Sequence, residues 1–142
     1  MAKRISVSHK SLEKWLIKAC MQLQREDYHR VIMTCQRILR AVSNNDSRRA
    51  EALGYMGTAY SMLNESSLAF DVFSQALLIK PEEFDLWYNR GVASLFTSRI
   101  GRAYKDFSKA ASLCTEASYK ERVLESNIYR KGRQRGLCPA RS

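Results

Sequence analysis

The chain has 142 residues, of which 45% are hydrophobic, and a formal net charge of +10. This length fits one domain with a sizeable core, and no apolar run approaches the roughly 20 residues of a membrane span. The basic N-terminal segment, residues 1–10, lacks the apolar stretch of a secretory signal. We therefore expect that segment to be flexible and the protein to be cytoplasmic.

The four cysteines give no sign of a metal site. Cys20, Cys35, Cys114 and Cys138 show no Cys-x-x-Cys spacing, and no histidine pair lies near them. Zinc ligands in proteins are clustered at short spacings. We expect reduced thiols, no metal ion and no cofactor.

The first predicted unit is a pair of helices over about residues 11–24 and 28–42. Large and small apolar residues recur three and four apart in both, which is typical of a packed helix pair. The polar loop 43–47 follows, and Ser47 is expected to cap the next helix.

The stretch of residues 53–81, within the second predicted unit, shows the clearest pattern. Two apolar helical stripes flank the polar turn 64–67, and Pro81 cannot continue the second helix. Small residues among large ones allow two helix backbones to approach closely. These positions are Leu53, Gly57, Tyr60, Ala69, Phe73 and Ala76.

The same pattern returns 34 residues later, at Trp87, Gly91, Ala103, Phe107 and Ala110. A helix-turn-helix unit at this period is typical of a solenoid. On these residues the sequence resembles the tetratricopeptide repeat (TPR) family, although Ser94 occupies its Tyr position and Thr115 its Pro position. The resemblance implies an all-α fold, a right-handed α-solenoid of antiparallel helix pairs. The implied repeats cover about 12–45, 50–83 and 84–117.

A last predicted helix, about 116–133, has an apolar face and would cap the solenoid. A single TPR-like domain would then span 11–133, followed by a disordered tail over 134–142. If Val123, Leu124 and Ile128 are incompletely covered, this helix could pair with a second copy, giving a homodimer.

Catalytic constellations are absent from the sequence. We expect no catalytic pairing of His9 or His29 with a carboxylate or cysteine, and Gly54, Gly57 and Gly91 lie within predicted helices. We predict that the protein is not an enzyme.

The resemblance instead points to a concave groove. In the TPR family, the first helix of each unit lines a groove that holds a partner's peptide or helix. This implies groove positions at Glu51, Tyr55, Thr58 and Met62 in the second unit, and at Asp85, Tyr88, Asn89, Val92 and Phe96 in the third. The first unit adds Glu13, Leu16, Ile17, Cys20 and Leu23. The alternative is that Leu16, Leu95 and Phe96 are partly buried, which would make the groove smaller.

The predicted groove is apolar and aromatic, with an acidic row of Glu13, Glu51 and Asp85. TPR adaptors that grip the acidic tails of heat-shock chaperones share a clamp of Lys, Arg and Asn residues. Here only Asn89 stands on a clamp-like position, and Leu16 and Asp85 occupy cationic ones. We therefore expect a scaffold or adaptor whose partner is a protein, bound as an amphipathic helix or as a peptide with apolar anchors and some basic charge.

The basic ends of the chain support a second hypothesis. Residues 1–50 hold eleven Lys or Arg against four Asp or Glu, whereas residues 51–117 hold six against eight. The cations near the ends could contact the phosphates of RNA or DNA, directly or within a ribonucleoprotein. These cations are Lys14, Lys18, Arg130, Lys131 and Arg133.

Overall fold

The structure, a computed structural model, describes residues 6–125. These residues form helices joined by short turns, and none of them lies in a β-strand. The helices are α1 His9–Gln24, α2 Tyr28–Ala41, α3 Ser47–Met62, α4 Ser66–Ile79, α5 Phe84–Phe96, α6 Ile100–Ser112 and α7 Glu116–Glu125. Residues 1–5, the predicted helical residues 126–133 and the predicted tail 134–142 lie outside this range.

Side chains fix the first residues of two helices. The Ser8 hydroxyl accepts a hydrogen bond from the backbone N–H of Ser11, so α1 begins at His9, within the segment predicted to be flexible. Asp46, and not the predicted Ser47, caps α3 by accepting from the Arg48 N–H at 2.9 Å. The hydrogen bonds from Arg48 hold the pKa of the Asp46 carboxyl at about 2.

The three helix hairpins turn in the same way. Glu26, Asn64 and Ser98 each follow the first helix of a pair and have φ values of 60°, 66° and 59°. A left-handed residue reverses the chain within a short turn, and asparagine tolerates that conformation better than glutamate or serine. The hairpin geometry is therefore set by the repeat and not by the local residue type.

The helices form two layers. Helices α1, α3 and α5 pack side by side, while α2 and α4 each pack between consecutive members of that row, and α6 packs mainly on α5. A curved stack places the helices that contact one another on its inside, so α1, α3 and α5 form the inner layer and α2, α4 and α6 the outer one. The arrangement is an α-solenoid.

The two layers meet at a glycine in each of the last two units. A Cβ atom added at Gly57 would lie 2.6 Å from the nearest ring atom of Phe73, and one added at Gly91 would lie 2.7 Å from Phe107. Such distances are too short for non-bonded carbon atoms. The phenyl rings therefore occupy the space that only glycine leaves on the neighbouring helix.

Gly57→Ala should lower the free energy of unfolding by about 1–3 kcal/mol, because the buried Phe73 ring must move to admit the methyl group. Chemical denaturation measures this loss. Gly54→Ala, in the same helix, is the matched control, since its Cβ would make an ordinary 3.5 Å contact with Leu86. The control should be neutral or slightly stabilising, because alanine favours helix. Equal stability of the two variants would contradict the close-packing argument.

A buried ion pair joins the helices of the third unit. The Arg90 guanidinium donates to both Asp106 carboxylate oxygens, at 3.0 and 2.8 Å, and also to the Ser74 hydroxyl at 3.2 Å. Asp106 is fully buried and the Arg90 side chain nearly so. One repeat earlier, the equivalent positions hold Met56 and Val72. The same place in the scaffold thus accepts either an apolar pair or an ion pair.

Asp106→Ala should destabilise the protein by about 3–5 kcal/mol, because it leaves the Arg90 charge buried without its partner. The double variant Arg90→Met/Asp106→Val copies the apolar pair of the preceding unit and should recover most of that loss. Thermal and denaturant unfolding of both variants would measure the difference. A double variant as unstable as the single one would show that the ion pair is not interchangeable with the apolar pair.

Candidate functional site

The inner layer brings three side chains of α1 and α3 together. The Tyr55 hydroxyl donates to the Glu51 carboxylate at 3.1 Å, and the Cys20 thiol lies close enough to interact with the same hydroxyl. Burial, the negative charge of Glu51 and the neighbouring thiol raise the pKa of Tyr55 above its ordinary value. Tyr55 is therefore a neutral, half-buried side chain held in place between two units.

Helix α3 extends this surface by one further turn. Thr58 and Met62 are half-buried, and the Thr58 hydroxyl donates to the Gly54 carbonyl at 3.0 Å. This internal bond satisfies the hydroxyl and leaves the Thr58 methyl as an apolar contact. The α3 part of the surface thus offers one aromatic ring, one thioether and one methyl group.

The structure corrects the expected exposure of two α5 residues. Tyr88 is 4% exposed and Val92 is 2% exposed, so both belong to the core. Tyr88 stacks on Phe84 and contacts Phe107, while Tyr119 of α7 packs edge-on against both Phe84 and Tyr88. Helix α7 covers this side of α5, which a pattern of groove positions cannot foresee.

The other predicted α5 residues remain at or near the surface. Asp85 is exposed, whereas Asn89 and Phe96 are half-buried, and all three interact with other groups of the protein. In α1, Leu16 is buried, as the alternative interpretation expected, and Ile17 is exposed. The surface offered by the inner layer is therefore smaller than the sequence predicted.

The carboxylates of the predicted acidic row are exposed in the structure. Glu13, Glu51 and Asp85, one from each inner helix, are exposed carboxylates. Of the cations in the nucleic-acid hypothesis, Lys14 and Lys18 are exposed on α1, and Arg130, Lys131 and Arg133 lie outside the described residues. The prediction from the sequence did not include a further row of cations on α6, because the net charge over residues 51–117 is close to neutral.

The cysteines within the described range are unpaired thiols. Burial raises the pKa of the Cys35 thiol to about 12, so it packs in the core as a neutral group. Among residues 6–125, no three potential metal-ligating side chains gather in one place. Nor does any helix in that part of the chain have the length and apolar character needed to cross a membrane.

The end of α7 bears on self-association. Val123 is half-buried against the core, and the Leu124 side chain and Ile128 lie outside what the structure describes. Homodimerisation through this helix therefore stays a prediction.

No protein-family model matches the sequence, and no curated protein matches it either. Solved structures do match its fold. One is described as the first TPR of Spaghetti (RPAP3) bound to HSP90 peptide SRMEEVD. It superimposes with a TM-score of 0.72 over 92% of this chain and 97% of that chain, at 18% sequence identity.

The chain has the TPR fold. The all-α solenoid and the TPR resemblance predicted from the 34-residue spacing are thereby confirmed. At 18% identity the likeness concerns the fold alone, so what the RPAP3 domain binds is a property of that protein.

Proposed function

We propose that the protein is a non-catalytic adaptor that binds another protein through the inner surface of its solenoid. The observation that carries this proposal is the cluster of Cys20, Glu51 and Tyr55, which spans two units and is only half-covered. A TPR domain of the same fold is bound to a peptide, which supports a peptide or helix as the class of ligand. The proposed adaptor acts in the cytoplasm, as the sequence predicts.

The chemistry of the inner surface selects the type of peptide. The peptide bound by the RPAP3 domain, SRMEEVD, ends in a mainly acidic sequence. Here the inner helices present Glu13, Glu51 and Asp85, and Leu16 is buried instead of offering a cation. Like charges would oppose an acidic tail. An amphipathic helix or extended segment with basic residues beside apolar anchors complements this surface.

The binding energy would come mainly from the apolar part of the surface. Tyr55, Met62 and Phe96 are half-buried and can bury further area against a partner, whereas charges at the rim contribute mostly to specificity and association rate. Asn89, also half-buried, has the amide group needed for a hydrogen bond to a peptide backbone. Tyr88 and Val92 would support this surface from the core.

Glu51→Lys should weaken the binding of a basic amphipathic peptide about 5-fold or more, because it reverses one charge beside Tyr55. Asp71→Lys, an equal change on the exposed outer side of α4, is the matched control and should leave affinity nearly unchanged. Isothermal titration calorimetry, with partners selected from a peptide display library by the wild-type protein, measures both. Thermal unfolding should show that each variant remains folded.

The peptide SRMEEVD is a useful competitor in the same assay. The proposal expects it to bind the wild-type protein weakly and to gain affinity in Glu51→Lys. If both variants bound the selected peptides as the wild type does, or if Asp71→Lys alone lost binding, the inner surface would not be the site.

A further inference from the structure

The outward face of α6 carries a row of cations. Arg102, Lys105 and Lys109 are exposed and lie three and four residues apart, which places them along one side of the helix. We call these three residues the α6 basic row. The only acidic residue of α6, Asp106, is fully buried and paired with Arg90. None of the ion pairs formed within residues 6–125 involves the row.

The repeat itself supplies an internal control for this row. In α4, one unit earlier, the equivalent positions hold Leu68, Asp71 and Gln75. The two helices share the same scaffold positions, yet one outward face carries three positive charges and the other one negative charge. Packing of the repeat therefore does not require cations at these positions.

On the side opposite the α6 basic row, the outward face of α6 carries the exposed aromatic ring of Tyr104. Tyr104 is 74% exposed, and Ile100, four residues earlier, is 70% exposed. The equivalent of Tyr104 in α4 is Phe70, whose ring is covered by the guanidinium groups of Arg90 and Arg99 at 5.4 and 4.4 Å. The Tyr104 ring is left largely open to solvent.

Small residues separate the ring from the basic row. Gly101, Ser108 and Ser112 are exposed and lie between the two sides of the face. A Cβ atom at Gly101 would meet nothing within 4 Å. The surface is thus a shallow strip with positive charge along one side and an aromatic ring along the other.

We propose that this strip binds a single-stranded nucleic acid, with phosphates along the α6 basic row and one base stacked on Tyr104. Adjacent cations of the row are about 4.5 and 6 Å apart along the helix axis, so an extended strand can meet them in succession. Aromatic rings beside a positively charged track are the usual elements of single-strand binding, and they require no particular sequence.

A membrane surface fits the same face less well. Helices that lie on membranes bury a broad apolar side in the lipid. The apolar side of α6, with Ala103 and Ala110, is already buried in the protein core, and the outward face offers only Ile100 and Tyr104 as large apolar groups. The basic charge is available to phosphates, but the helix cannot insert.

The test is fluorescence anisotropy with a labelled 15-nucleotide oligothymidine at about 50 mM salt. Three phosphate contacts predict a slope of log affinity against log salt of about −2, at about 0.7 per contact. Lys105→Gln/Lys109→Gln should reduce the slope to about −0.7 and the affinity by about 10-fold or more. Arg30→Gln/Arg40→Gln removes the same number of positive charges from exposed positions of α2, where Arg30 pairs with Asp27 at 3.4 Å, and should change affinity less than about 2-fold.

The aromatic half of the strip has its own variant. Tyr104→Ala should lower affinity about 5-fold or more without changing the salt slope, because stacking involves no counterion release. Tyr104→Phe keeps the ring and should bind as the wild type does. Because Tyr104 is largely exposed, thermal unfolding of all variants should match the wild type.

Several results would overturn the proposal. The first is no oligonucleotide binding at about 50 mM salt. The second is an equal loss of affinity in the α2 and α6 variants. The third is a loss of affinity in Lys14→Gln/Lys18→Gln while the α6 variant binds as the wild type does. Sedimentation with phosphatidylserine vesicles tests whether the same face binds a membrane. Vesicle binding that depends on the α6 basic row, without oligonucleotide binding, would assign the face to a membrane and would also refute the proposal.

Discussion

The close contact between a glycine of one helix and a phenyl ring of the next determines how the last two units of this protein are built. Gly57 with Phe73, and Gly91 with Phe107, allow the paired helices to approach until the ring lies against the backbone of the facing helix. This contact fixes the spacing of the two layers, and the spacing fixes which residues each inner helix can present. The identity of the residues at the surface is then free to vary, because the backbone geometry does not depend on them.

The interior of the scaffold also tolerates different residues, as the third unit shows. Arg90 and Asp106 stand where the second unit has Met56 and Val72, and the fold accommodates both pairs. An ion pair so deeply buried is stable only because both carboxylate oxygens are bonded by the guanidinium, and Arg90 is further held by Ser74. The pair fixes the positions of α5 and α6 through directional hydrogen bonds. In the preceding unit, the equivalent positions hold apolar residues. The third unit is also the one against which α7 packs, through Tyr119.

The two proposed surfaces use opposite layers and opposite charges. The inner layer combines half-buried apolar groups with exposed carboxylates, and the outer face of α6 combines cations with an exposed ring. Their separation means that a protein ligand on the inside and a nucleic acid on the outside would not compete for the same residues. An arrangement of this kind would allow one small solenoid to connect a protein to a polynucleotide.

The sequence by itself determined the secondary structure, the helix pairing and the repeat, because a 34-residue spacing of small and large residues has few structural solutions. It also predicted groove positions at Glu51 and Tyr55 from the TPR resemblance, and the binding of a partner there stays a prediction. Only the tertiary structure decided which of the predicted groove residues remain accessible. Tyr88 and Val92 have the correct helical phase, but α7 packs against that side of α5 and covers Tyr88, while Val92 is enclosed in the core.

The α6 basic row shows the converse case. Its cations can be read directly in the sequence. In the net charge of residues 51–117, however, acidic residues that include Asp106 cancel them. In the structure, Asp106 is buried against Arg90, whereas Arg102, Lys105 and Lys109 face solvent. Net charge depends on composition alone, whereas the charge that a partner meets depends on which side chains the fold buries and pairs.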